Sequence, residues 1–336
     1  MILHLIPEQV DGCAYHRIEV PMHNLRGFDL AQSTIIDGIE DSELHKMQLV
    51  VMSRDACMHD VTGQVKRLNK MGLPYVVDID DYWQMDRYHL LHKDFDKTAA
   101  RWIALMRGAA AVTTTNQRLA DRIKKYNRNV VIVPNALDAK QPQWLPTEKN
   151  FKQPVVGWVG GVHHLADIQQ LEGTFKRIHK DDIITLALGG YTMNEVYAAF
   201  EMWFTDSGKY KKYKRIPAEN VYGYGHIYEH IDIALAPLID TPFNNRKSSL
   251  KIIEAGFKGC VCIADRVPPF SDDFTDNEVV FVNNKYEWYD TVTKLHNSEQ
   301  LLYDYSEKLK ESVQRFEIKK VNPIREQLYT TLINGK

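Results

Sequence analysis

Cysteine is scarce. Cys13, Cys57, Cys260 and Cys262 are the four in 336 residues, and they form neither a Cys-x-x-Cys pair nor a cluster with histidines at zinc spacing. A disulfide framework and a structural zinc site are therefore not expected, and a reducing, cytoplasmic setting fits. Charge of one sign is lacking too: 42 Lys and Arg stand against 44 Asp and Glu, a formal net charge of −2. Such a chain has no global field for nucleic acid or acidic lipid, so any basic site must be local. Long hydrophobic runs are missing as well, since Trp102–Val112 is interrupted by Arg107. The apolar opening Met1-Ile-Leu-His-Leu-Ile6 has no basic segment before it and no small-residue cleavage site after it, and reads as a first strand. No transmembrane segment is expected.

What remains is an ordinary globular composition, 44% hydrophobic and 26% charged, in a chain long enough for about two domains. Short β-rich runs alternate with helical patterns throughout, which argues for two parallel α/β sheets. In the first half the strands read as Ile2–Ile6, Leu49–Met52, Tyr75–Ile79, Ala110–Thr113 and Val130–Val133. Helical stretches fall around Tyr15–Leu25, Val61–Met71, Lys97–Arg107 and Gln117–Tyr126. From Pro134 to about Lys152 the chain turns polar and proline-bearing, which marks a linker. The second half repeats the alternation with Val155–Val159, Ile184–Leu188, Ile231–Ala236, Val261–Ala264 and Val279–Val282, and ends in a mostly helical stretch from Trp288 to Ile333. The domains expected are 1–140, 153–315 and a C-terminal helix, 316–336, that packs back on the first.

The most informative segment runs from Asp232 to Asp265, where two apolar strands flank one helix that starts near Ser248 or Ser249. In such folds the helix start opens at the C-terminal edge of the sheet, where ligands bind. Leu250, Ile253 and Phe257 make its buried stripe, whereas Lys247, Lys251 and Glu254 follow the i, i+4, i+7 rule on another face. Free backbone N–H groups, two lysines and the hydroxyls of Ser248 and Ser249 suit a diphosphate, and a carboxylate one turn deeper suits a ribose diol. The structural alternative is a solvated face with Lys251–Glu254 and Glu254–Lys258 ion pairs.

The order strand, Pro-Leu, Asn-x-Lys-Ser-x-Leu-Lys-x-x-Glu-Ala-Gly, strand resembles the donor-binding segment of GT-B glycosyltransferases, particularly retaining family four and its phage and bacterial relatives. Val131-Ile-Val-Pro-Asn-Ala-Leu-Asp138 is similar to the junction between their domains. Val156-Gly-Trp-Val-Gly-Gly161, followed by His164 and Asp167, resembles the first strand and loop of their C-terminal domain. Val76-Val-Asp-Ile-Asp-Asp81 with Trp83, and Ala109-Ala-Ala-Val-Thr-Thr-Thr115, match N-terminal stretches of the same relatives.

The resemblance implies two Rossmann-like domains facing a cleft, and transfer of a sugar from a nucleoside-diphosphate sugar to an acceptor hydroxyl, with retention and without metal. The nucleotide sugar is then a co-substrate, and no cofactor is implied. The acceptor stays open among a glycan, a lipid-linked molecule, a protein and hydroxymethylated pyrimidine in phage DNA, and the setting is the cytoplasm of a bacterium or a phage-infected cell. A sugar-nucleotide 2-epimerase and a non-catalytic nucleotide-sugar binding module are the alternatives. Many relatives carry two glutamates separated by seven residues. Glu254 matches the second, near the ribose, but the first falls on Arg246, so Asn244, Asn245 or Arg246 is expected to hold the donor sugar instead.

Other candidates come from local pattern. Gly160 and Gly161 permit close backbone approach to a phosphate, and a second glycine loop is expected at Gly12, with Arg17 pairing a phosphate or acceptor anion or else lying on a surface helix. His163 and His164 follow the Gly-Gly turn directly and are candidate catalytic groups, as are His89 and His92. Asp78, Asp80 and Asp81 admit a metal-binding Asp-x-Asp reading; the resemblance favours acceptor orientation or a structural cap by Asp80 or Asp81. Finally, Lys209-Tyr-Lys-Lys-Tyr-Lys-Arg215 puts five basic residues in seven around two tyrosines. It reads as a solvated loop before a strand near Val221, or as a track for a phosphate backbone or an anionic membrane.

Overall fold

A computed structural model describes residues 1–54, 60–86, 92 and 95–335. The chain forms two compact units, one made of Met1–Asp138, Arg246–Ser248 and Phe316–Lys336, the other of Ala139–Asn245 and Ser249–Arg315.

The first unit is built on β1 (Ile2–Leu5), β2 (Leu30–Ser33), β3 (Leu49–Ser53), β4 (Tyr75–Ile79), β5 (Ala111–Thr114) and β6 (Val130–Ile132), all parallel, in the order β2-β1-β3-β4-β5-β6. Every residue of β1, β3, β4 and β5 is buried, as expected of strands covered on both faces. β2 alternates exposed and half-buried positions at the sheet's edge, and its short Leu-Ala-Gln-Ser stretch gives no apolar signal. The chain runs outward from β1 to β2 and then returns past β1 to β3. The direction of strand order therefore reverses between β1 and β3, the place where such sheets bind ligands.

Helices run over Val61–Lys70, Phe95–Gly108 and Gln117–Ile123. The first helical stretch, from Gly12 to His23, contains a π-turn at Tyr15–Glu19 in which the Val20 N–H reaches back to the Tyr15 carbonyl. Pro21 follows it at once, with no N–H to donate, and the wider turn accommodates the ring. The last helix, Ile318–Asn334, contributes Leu328 and Tyr329 to the core of this unit, beside Ile2, Ile18, Met22 and Val51. Its Asn322 amide donates to the Pro21 carbonyl at 2.9 Å.

The second unit holds β7 (Val155–Val159), β8 (Thr185–Tyr191), β9 (Tyr213–Pro217), β10 (Ile233–Ala236), β11 (Val261–Asp265) and β12 (Val280–Val282), parallel and ordered β12-β11-β10-β7-β8-β9. Its strand order reverses between β7 and β10. Trp158, Phe175, Phe200, Phe204 and Trp288 fill the core. The strand expected near Val221 is absent there: Tyr224–His230 is a 3-10 segment, and the edge strand β9 lies earlier, inside the basic run. The stretch read as a linker is partly packed, with Trp144 buried and the Gln143 side chain accepting from the Gly225 N–H at 2.9 Å. Among the described residues, no helix is long and apolar enough to cross a membrane.

Candidate functional site

At the C-terminal edge of the second sheet, β7 is followed directly by Gly160 and β10 leads through a loop into the Leu250–Phe257 helix, so both sides of the switch point are occupied by candidate residues. Gly160 is required by close approach: a Cβ there would stand 2.5 Å from the Trp158 ring and 2.8 Å from Lys251 Nζ. Lys251 donates to the Val159 carbonyl at 2.6 Å and lies 5.3 Å from the Trp158 ring centroid. The Gly160 carbonyl accepts from the Tyr197 hydroxyl. Gly161 is exposed with open space around it, so no steric reason fixes a glycine there.

Glu254 is 3% exposed and accepts a hydrogen bond from the Tyr228 hydroxyl at 2.9 Å. Burial pushes its carboxyl up to about 7, against the opposing pulls of Lys251 and Tyr228. The solvated-face alternative is thereby corrected. Ile252 to Phe257 are all buried, and Lys258 pairs with Glu229 at 3.0 Å instead of with Glu254. The hydroxyl of Ser249, at the helix N-cap, donates to Asp273 at 2.6 Å.

Two aspartates hold the edge loops. Asp167 is bonded to His164 Nδ1 at 2.7 Å, accepts from the Ile239 N–H at 2.9 Å, and accepts from the Asn244 amide at 3.3 Å. Asp265 accepts from the Leu238 N–H at 2.8 Å, Gln170 at 2.9 Å and the Trp288 indole at 3.1 Å, and burial raises its carboxyl to about 6. Together they tie the loop after β10 to the loop after β7. Asn244 is buried and also donates to the Ile239 carbonyl at 3.0 Å, so its amide serves the loop itself. Asn245 donates to Asp240 at 2.6 Å. His164 is half-buried in this arrangement, and His163 is exposed.

In the first unit, Arg17 lies inside the fold and not on a surface helix. Its Nε and Nη2 donate to the two oxygens of Asp78 at 2.9 and 2.8 Å, and its Nη1 donates to the Val133 carbonyl at 2.8 Å and to Asn135 at 3.0 Å. Thr113 adds a 2.6 Å bond to the same Asp78. With four of five N–H donors spent internally, Arg17 braces the sheet against the first helix, and the phosphate or acceptor pairing expected of it is corrected to a structural role. Gly12 opens a helix capped by Asp11, whose side chain accepts from the Ala14 N–H at 2.7 Å, and no protein atom lies within 4 Å of a Cβ placed on it.

Asp80 and Asp81 follow β4, beside the β1/β3 switch point, and both are held by Arg54, which follows β3. Arg54 Nη1 bonds Asp80 and lies 3.2 Å from Asp81, its Nη2 reaches Cys13 Sγ at 3.3 Å, and its guanidinium sits 4.6 Å over Trp102. Burial lifts Asp80 to about 6; Arg54 opposes this and Asp81 adds to it. Asp78 and Asp80 thus hold different arginines rather than converging as an Asp-x-Asp pair. Arg54 was missed in the sequence, where the only signal is a cation directly after an apolar strand.

Arg246, Lys247 and Ser248 group with the first unit. The Asn116 amide donates to the carbonyls of Arg246 and Lys247, each at 3.0 Å, and the Asn135 amide donates to the Ser248 hydroxyl at 2.7 Å. The Arg246 guanidinium lies 4.5 Å over the Tyr82 ring. His92 Nδ1 is 3.0 Å from the Met85 carbonyl, and His89 and Cys57 lie outside the described residues. The basic run is half strand, with Arg215 bonded to Glu201 at 2.7 and 2.6 Å and Lys209 and Lys212 beside Asp206 and Asp182 at 3.5 and 3.6 Å. No group of three or more ligating side chains able to hold a metal ion occurs among the described residues.

No protein-family model and no curated protein matches the chain. Solved structures do. Sucrose-phosphate synthase from Thermosynechococcus elongatus superposes with a TM-score of 0.74 at 12% identity, covering 100% of this chain and 99% of that one. Anabaena Alr3699/HepE in complex with UDP and glucose gives 0.71 at 12% identity over 98% and 99%. A glycosyltransferase from Rickettsia africae ESF-5 gives 0.69 at 10% identity over 100% and 99%. The chain has the two-domain α/β fold of GT-B glycosyltransferases over its whole length.

Proposed function

We propose that the chain is a glycosyltransferase that moves a sugar from a nucleoside-diphosphate sugar to an acceptor hydroxyl, with retention of configuration and without a bound metal. The observation that carries this reading is the placement of Glu254. It is a buried carboxylate one turn into the helix after β10, next to Lys251 and the Gly160 loop, at the switch point of a parallel sheet. A carboxylate there accepts hydrogen bonds from a ribose diol, while Lys251 and the positive end of the helix oppose the charge of a leaving diphosphate. The UDP and glucose bound by the similar Alr3699/HepE support the same ligand class for this chain.

Among the candidate groups, Asp80 and Asp81 are both held by Arg54, and His164 is held by Asp167. We assign Asp80 and Asp81 to orienting the acceptor, with the leaving diphosphate helping to take the acceptor proton. The test is incubation with a panel of nucleotide sugars in excess EDTA, with glycan, lipid-linked, protein and hydroxymethylated-DNA acceptors. Nucleoside diphosphate released only when an acceptor is present is the expected result. Isomerised donor would point to an epimerase, binding without turnover to a module, and activity restored only by manganese or magnesium would remove the metal-free mechanism.

A further inference from the structure

Tyr82 and Trp83 form a buried aromatic floor in the first unit, 6% and 4% exposed, with ring centroids 5.0 Å apart, and Tyr126 braces Trp83 at 5.5 Å. Two guanidiniums gather on it: Arg246 lies 4.5 Å and Arg122 5.9 Å from the Tyr82 ring centroid. Arg118 and Asp86 are further electrostatic neighbours of Arg246, the first opposing its charge and the second favouring it. Burial, and after it the charge of Arg122, lowers the pKa of Arg246 from its ordinary value. Holding like charges together is unfavourable, and stacking on a phenol ring offsets only part of that. A guanidinium is planar and holds its N–H groups in one plane, the geometry that suits a planar or tetrahedral oxyanion. The cluster is fixed in place, because Asn116 clamps the backbone carbonyls of Arg246 and Lys247 and Asn135 binds Ser248.

We propose that Arg246 and Arg122, gathered on the Tyr82 ring, with Arg118 as a neighbouring charge, bind an oxyanion, a carboxylate or a phosphate, carried by one of the two substrates. The source is either a carboxylate on the donor sugar or a phosphate on the acceptor. The inference rests on the glycosyl-transfer reading for its substrates, and on the first unit alone for its site.

Calorimetry on the full chain tests it with UDP, UDP-glucose, UDP-glucuronate, and inorganic phosphate added on top of UDP, for wild type, Arg246→Gln and Arg122→Gln. The expected result is either of two preferences, lost in both variants. UDP-glucuronate binding about tenfold or more tighter than UDP-glucose assigns the anion to the donor, and phosphate binding to the UDP complex assigns it to the acceptor. Equal binding of the two UDP-sugars with no phosphate binding overturns the proposal, as does a preference that both variants keep. Should Arg246→Gln fail to fold by circular dichroism, Arg122→Gln alone decides. Absence of any UDP binding by the wild type defeats the transfer reading instead, and phosphate binding abolished by the variants would still establish the anion site.

Discussion

The Tyr228 hydroxyl donates to the Glu254 carboxylate at 2.9 Å, and both side chains are buried. The charge of Lys251 and this bond do not offset the burial, so Glu254 is pushed from 4.5 to about 7. Between those values the folded chain holds a proton that the unfolded chain has released. Folding stability therefore falls as pH rises from about 5 to about 7 and levels off above, by on the order of 1–3 kcal/mol. Urea unfolding at a series of pH values should show that slope in the wild type and its loss in Glu254→Gln. Nucleotide affinity should run the opposite way, strengthening over the same window as the carboxylate ionises. Glu254→Ala should weaken nucleotide binding by about 1.5–3 kcal/mol in calorimetry, and an unchanged affinity would remove Glu254 from the donor site.

The paired glycines after β7 separate close approach from mere turn formation. Gly160→Ala puts a methyl against the Trp158 ring and Lys251, and should cost about 1–3 kcal/mol of stability as well as weaken nucleotide binding. Gly161→Ala, with nothing within 4 Å, should stay within about 0.5 kcal/mol of wild type. Thermal unfolding and calorimetry on the two variants check the contrast, and equal effects would refute it.

Removing one member of the Arg17–Asp78 pair strands the other. Arg17→Met should destabilise the chain by about 3–5 kcal/mol in urea, because a buried carboxylate loses a bidentate partner. Adding Asp78→Asn should recover part of the loss, whereas a residue that binds phosphate at an open site would show no such coupling.

Lys209, Lys212 and Arg215 each have an acidic neighbour, so the basic run presents little uncompensated charge. Neutralising Lys211, Lys212 and Lys214 should leave acceptor affinity and its salt dependence unchanged. Binding to a nucleic acid through this run would instead lower the slope of log K against log salt by close to one for each phosphate that the variant no longer neutralises.

The parts of the fold legible in the sequence are those buried on both faces. β1, β3, β4, β7, β10 and β11 read as apolar runs because two layers of helix cover them. Of the four edge strands, β6 and β12 were still read as short apolar runs, whereas two escaped, β2 for want of hydrophobicity and β9 because its Lys and Arg residues look like a loop while serving to guard an edge. In the site, Lys251 and Glu254 were visible because helical spacing links them. Arg17 and Asp78 are 61 residues apart, and Arg54 and Asp80 are 26 apart, so their pairing is a product of strand order that local pattern does not encode. Asp167 was visible beside His164, but the role of Asp265 was hidden for a different reason: its partners are a backbone N–H, an amide and an indole, which carry no sequence signature.

Leu328 and Tyr329 have a consequence for synthesis on the ribosome. They belong to the same core as Ile2 and Ile18, so the first unit is not finished when residue 138 emerges. A nascent chain must keep Ile18 and Met22 from misassociating through the making of the whole second unit, until the Ile318–Asn334 helix arrives to cover them. Topologically the second unit is an insertion, able to mature inside a host that is still open. A chain stopped before residue 316 would then release a folded second unit joined to an aggregation-prone first one.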